Sequence, residues 1–87
     1  MPYLLIRHKV LDFSNWKASY DSHQPARQEA GLTEKYVLRT IDDPSEVVLF
    51  FEVKDVEKAK EFGASPGLRE AMQKAGVVDK PDSYFLS

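Results

Sequence analysis

Two periodicities divide the chain. Residues 3–10, YLLIRHKV, follow a period of two, with Leu4, Ile6, His8 and Val10 on one face and Tyr3, Leu5, Arg7 and Lys9 on the other. That is the pattern of a β-strand. After Asp12, whose carboxylate suits an N-cap, the period lengthens. Phe13, Trp16, Tyr20, His23 and Arg27 fall on one helical stripe. Pro25 lacks an N–H and crowds the turn before it. The helix therefore either kinks near 22–24 or ends there, with Pro25 starting another, and Gly31 closes the helical region.

Residues 32–40, LTEKYVLRT, read as a second strand and 46–53, EVVLFFEV, as a third. Between them DDPSE is a tight turn, with Pro44 fixing φ and Asp43 free to bond the backbone two residues on. Strand, turn and strand make a hairpin. Asp55 caps a helix with Val56, Ala59 and Phe62 inward, which Gly63 and the SPG at 65–67 interrupt. Ser65 caps a further short helix, with Pro66 in its first turn and Leu68, Ala71, Met72 and Ala75 inward. Gly76 stops it, 77–81 is a connector, and 82–87 is a last strand.

The order strand, helix, strand, strand, helix, strand is that of an α+β, ferredoxin-like βαββαβ unit, an antiparallel sheet with helices on one face. A sheet covered on one side should read apolar inward and polar outward. The third strand does not. Val47, Leu49, Phe51 and Val53 stand on one face, yet Val48 and Phe50 stand on the other. Composition sharpens the point. A chain of 87 residues suits a single domain over 1–87 and buries only somewhat more than about 60% of its unfolded surface. It has no cysteine, which removes disulfides and thiolate metal sites, and no histidine spacing suggests a metal. Oligomerisation remains as the support for a thin core. The expectation is a homodimer packed sheet against sheet, burying about 1,600 Å² or more.

Charge narrows the partners. The formal net charge is −2, which gives no electrostatic reason for nucleic acid or an anionic membrane. The third strand also lacks the K/R-G-F/Y-G pattern of an RNA-binding sheet. No apolar run approaches a membrane span, and MPYLLIRHKV lacks the parts of a signal peptide. A cytoplasmic protein is expected. Phosphate loop, nucleophile elbow and paired-histidine motif are all missing from the sequence.

Three blocks, RHKVLDFSNWK (7–17), DDPSEVVLFFE (42–52) and SPGLREAMQKAGV (65–77), resemble the antibiotic biosynthesis monooxygenase domain family. Its members are small dimeric α/β-barrel proteins, often described as cyclase-like or of unknown function. The resemblance implies a ferredoxin-like protomer, a dimer whose sheets close into a barrel, and a pocket between sheet and helices in each subunit. It implies cofactor-independent oxygenation or ring closure on a small aromatic or polyketide-like compound, with no bound cofactor or metal. Haem breakdown and muconolactone isomerisation also occur in the wider superfamily. The family-typical positions matched are His8, Trp16, Asp43, Glu52, Arg69 and Met72. Pro25 departs from the unbroken first helix of that pattern.

The residues themselves suggest a site. If the His8 face looks at the helices, its imidazole meets Trp16 and Tyr20 and is placed to move a proton; the alternative is a neutral core histidine bonded to a backbone carbonyl or to Tyr20. Phe13, Trp16, Tyr20 and Phe62 can line an aromatic pocket or form plain core. Met72 and Arg69 join the substrate-binding set through the resemblance. His23 and Arg27 either greet an anionic ligand at the pocket mouth or form a solvated helix end, the second being the expectation. Glu52, inside an apolar strand, has either a raised pKa or a cationic partner, with Arg7 and Arg39 as candidates across the sheet, a structural or interface salt bridge being the expectation. Arg69 either pairs with Asp43 or Glu70 or meets the partner subunit. The remaining possibility is a non-catalytic dimeric module that binds a metabolite or serves structure alone.

Overall fold

The period-two runs form four strands and the longer-period stretches form helices in a computed structural model that describes residues 2–78 and 81–87. The elements are β1 (Tyr3–Lys9), α1 (Phe13–Ser22), α2 (Gln24–Glu29), β2 (Leu32–Arg39), β3 (Glu46–Val53), α3 (Val56–Gly63), α4 (Pro66–Lys74) and β4 (Asp82–Leu86). Part of the connector expected at 77–81 lies outside the described residues.

The starts of α1, α3 and α4 are each set by a side chain. Asp12 accepts from the backbone N–H groups of Ser14 (2.9 Å) and Asn15 (3.3 Å). Asp55 accepts from Lys58 N–H and Ser65 from Leu68 N–H. These satisfy amides that the helix cannot. Pro25 resolves the first helical region into two helices: His23 ends α1 and caps α2, and Pro25 sits in the first turn of α2. There its missing N–H costs nothing, because that donor has no partner within the helix.

Gly31 follows α2 with φ +82°, and a Cβ there would stand 3.2 Å from the Lys54 Cβ. Gly31→Ala should destabilise the fold by about 1–2 kcal/mol, the usual cost of a left-handed L-residue. Gly63, with nothing within 4 Å of such a Cβ, is the control. Gly63→Ala should be neutral or mildly stabilising, and urea denaturation of the two variants separates the effects.

The sheet is antiparallel throughout, in the order β2-β3-β1-β4. β3 lies between β1 and β2, and β1 between β3 and β4, which is the split βαβ topology. The hairpin turn closes as expected. Asp43 accepts from Ser45 N–H and Ser45 Oγ, and Glu46 N–H donates to the Asp43 carbonyl. The Ser45 hydrogen bonds and then Lys9 hold the Asp43 carboxyl below its ordinary range.

The core lies between the sheet and the helices. β3 supplies Val47, Leu49, Phe51 and Val53, all buried; β1 supplies Leu4 and His8; the helices add Trp16, Tyr20 and Ala59. Among the described residues no helix covers the opposite face of the sheet. Across it runs one belt given by the register: Tyr36, Phe50, Leu5 and Tyr84, one residue from each strand. Phe50 stacks on Tyr3 with ring centroids 5.2 Å apart and meets Tyr36 at 6.3 Å. Tyr36 and Tyr84 are each more than half exposed. Ion pairs flank the belt: Arg7 with Asp82 (2.7 Å) and Glu46 (3.2 Å) on one side, Lys35 with Glu52 (3.4 Å) on the other.

Two expected pairings are corrected. Glu52 meets Lys35, while Arg7 is taken by Asp82 and Glu46 and Arg39 lies over the Phe13 ring at 4.2 Å. The cause is a bulge in β2 between Glu34 and Tyr36. Arg69 likewise meets neither expected acid, since Asp43 pairs with Lys9 and Glu70 with Lys74.

Candidate functional site

Between the sheet and the helices is an apolar cavity of about 400 Å³. β1 contributes Leu4, Ile6 and His8 as consecutive inward positions, and β3 contributes Leu49 and Phe51 from the next strand. The α1 stripe contributes Trp16 and Tyr20, then His23 at the helix junction and Arg27 from α2. The far wall is Ala59 and Phe62 from α3, Leu68 and Met72 from α4, and Phe85 from β4. α4 turns Leu68, Ala71 and Met72 toward this space, and none of the three is fully buried, so they border the gap rather than fill it. Such a volume, mostly apolar with a few placed polar groups, is that of a small-molecule site.

The polar groups of the wall are arranged along one run of contacts. His8, 4% exposed, meets Trp16 edge-on, with ring centroids 5.5 Å apart and planes at 77°. Trp16 stacks on Tyr20 at 4.8 Å. The Arg27 guanidinium lies over the Tyr20 ring at 3.6 Å and donates from Nη1 to the Tyr20 carbonyl at 2.6 Å. The Tyr20 hydroxyl donates to Glu34 Oε1 at 2.7 Å. Burial, then this hydrogen bond, pushes the Tyr20 phenol well above its ordinary pKa. Tyr20 therefore stays a neutral phenol in any physiological range and cannot serve as the base.

Of the candidate site residues, His8, Trp16, Tyr20, His23, Phe62 and Met72 all border the cavity. Arg69 does not; it is exposed on the outer side of α4. Phe13, also expected in the aromatic wall, packs on Trp16 at 5.7 Å behind the cavity. The solvated helix end expected at His23 and Arg27 is overturned for Arg27, which is only 8% exposed. Pro25 is the reason: the break it imposes turns α2 so that Arg27 folds back over Tyr20. The signal was on the stripe itself, where Arg27 stands seven residues after Tyr20.

No family model matches the chain, and no curated protein matches it. Solved structures do match its fold. A candidate antibiotic biosynthesis monooxygenase from Bordetella bronchiseptica superposes with a TM-score of 0.80 at 15% identity, covering 99% of this chain and 94% of that one. SnoaB, a cofactor-independent oxygenase from Streptomyces nogalater, superposes at 0.74 with 12% identity, covering 99% and 90%. An uncharacterized NIPSNAP domain protein from Burkholderia xenovorans superposes at 0.67 with 10% identity, covering 100% and 93%. The ferredoxin-like fold implied by the three sequence blocks is therefore that of the antibiotic biosynthesis monooxygenase proteins. At these identities the likeness is one of fold. No helix among the described residues is long and apolar enough to cross a membrane.

Proposed function

We propose that the cavity is a ligand site and that the protein acts there as a cofactor-independent monooxygenase or cyclase on a small aromatic or polyketide-like compound. The observation that carries the reading is the placement of His8, a buried imidazole in the wall of an apolar cavity, edge-on to Trp16. Oxygenation without a cofactor demands a substrate that ionises to an electron-rich carbanion or phenolate. A base in a dry site is the minimum equipment, and imidazole is the side chain suited to it near neutral pH. His8 takes the proton, while Trp16, Tyr20, Phe62 and Met72 hold the ring. The fold shared with SnoaB supports the reaction class. The working unit is a cytoplasmic homodimer joined through the uncovered sheet faces. The apolar belt supports this: its flanking cations, Arg7 and Lys35, are already paired within the protomer, and exposed apolar side chains gathered on one uncovered face mark an interaction surface.

The second reading is a module that binds a metabolite without transforming it. It is favoured by one observation: no described carboxylate borders the cavity to orient or assist the imidazole. His8→Gln separates the two. With oxygen uptake measured over a panel of polycyclic phenols, the substitution should lower turnover by about 100-fold or more, the usual worth of a positioned base. Ligand affinity and the melting temperature should change little. Turnover unaffected by the substitution, or absent from the unsubstituted protein across the panel, would leave the binding module.

A further inference from the structure

The cavity wall is one-signed. It holds the cations Arg27 and Lys60 and the imidazoles of His8 and His23, and no aspartate or glutamate among the described residues. This is unexpected in a chain whose acids outnumber its bases by 14 to 12. Lys60 stands at the rim, with Nζ 5.7 Å from the centre of the Phe85 ring. Arg27 stands inside. A guanidinium so deeply buried ordinarily pairs with a carboxylate, because an uncompensated buried charge is costly. Among the described residues none lies within ion-pair distance of Arg27. Glu34 and Asp21 act on it only at longer range, and burial lowers its pKa, although a guanidinium keeps its proton. Its compensation is the Tyr20 ring and one carbonyl, which engages a single nitrogen. The remaining N–H donors form a planar fork of the kind that grips a carboxylate with two hydrogen bonds.

Resting on the reading of the cavity as a ligand site, we infer that its ligand is a planar aryl carboxylate whose carboxylate pairs with Arg27. Lys60 draws the anion in at the rim. The ring lies along Trp16, so that the end remote from the carboxylate reaches His8. The run of contacts from Arg27 through Tyr20 and Trp16 to His8 thereby sets which end of the ligand meets the imidazole. Arg27 is a specificity-determining residue in this scheme: it selects for a fixed charge and orients the rest.

The test uses two probes of nearly equal shape, 2-naphthoate and 2-naphthamide, of which only the first carries a charge. Each is titrated into the full chain while the Trp16 indole and Arg27 Nε–H resonances are followed by NMR. The carboxylate should bind about tenfold or more tightly, as befits a charge-assisted pair out of water, and should shift both resonances. Arg27→Met should erase the preference, so that the variant binds the two probes equally, while Arg27→Lys should keep part of it. If Arg27→Met does not fold, the Arg27 Nε–H shift on naphthoate binding reads the same contact in the unsubstituted chain. Equal binding of the two probes, or a preference that survives Arg27→Met, overturns the carboxylate assignment and leaves the cavity standing as a ligand site. If neither probe moves the Trp16 resonance, the ligand-site reading falls and this inference with it.

Discussion

Phe50→Glu is expected to convert a dimer into a folded monomer. Phe50 sits at the centre of the belt on the uncovered sheet face, between Tyr36 and Leu5, and stacks on Tyr3. In a sheet-to-sheet pair the substitution would bury two carboxylates, one per protomer. Each would sit in apolar surroundings with no cation within the belt to meet it, a loss of several kcal/mol in effective terms. Relative to a partner in the micromolar range or tighter, that raises the dissociation constant by more than about 100-fold. The inner face is untouched, so the circular dichroism of the monomer should match that of the parent. Sedimentation equilibrium of both chains at about 10 μM gives the comparison, and the melting temperature of the parent alone should climb with protein concentration. A parent that sediments as a monomer, or a Phe50→Glu chain that still pairs as tightly, would remove the sheet-face dimer.

The strands were readable because their inner and outer residues alternate without exception in β1 and β3. The helix starts were readable because Asp12, Asp55 and Ser65 are capping side chains in front of amphipathic runs. β2 shows where that logic stops. Strict alternation from Leu32 puts Tyr36 and Leu38 with it on the inner face. The bulge at Lys35 reverses the remainder, so that Val37 turns to the helices opposite Leu49 while Tyr36 and Leu38 face outward. Nothing local in LTEKYVLRT marks the extra residue. It is fixed by β3, against which both halves of β2 must bury their apolar groups. The same bulge leaves Lys35 on the outer face, where it claims Glu52.

The site was legible in part for a similar reason. His8, Trp16 and Tyr20 were placed by period alone, because adjacent strand and helix faces must meet across a core. Arg27 was on the right stripe, but its charge argued for water, and its burial depends on a tertiary contact with the Tyr20 ring. Arg69 failed in the opposite direction: its position in the third block suggested the pocket, but α4 turns Leu68 and Met72 inward and leaves it outside.

Phe51→Ala is expected to cost the fold itself what Phe50→Glu costs only the pairing. The two residues are neighbours in sequence and stand on opposite faces of β3. Phe51, 1% exposed, is the largest of the fully buried side chains. Deleting a buried phenylalanine removes its transfer free energy and leaves a cavity, together about 3–5 kcal/mol. For a domain of this size the whole stability is about 4–13 kcal/mol. The melting temperature should fall by more than about 12 °C, and the urea midpoint with it. The lost ring also forms the floor of the cavity, so this variant confounds stability with binding. Phe51→Leu separates them, because a hydrophobic swap near the same volume costs about 1.5 kcal/mol or less. That chain should stay folded at 25 °C with an enlarged floor, and its affinity for a flat ring should drop although Trp16 and Arg27 are intact. A Phe51→Ala chain that loses less than about 1 kcal/mol would mean that the wall relaxes to fill the space. The cavity would then be too pliable to orient a ligand between Arg27 and His8.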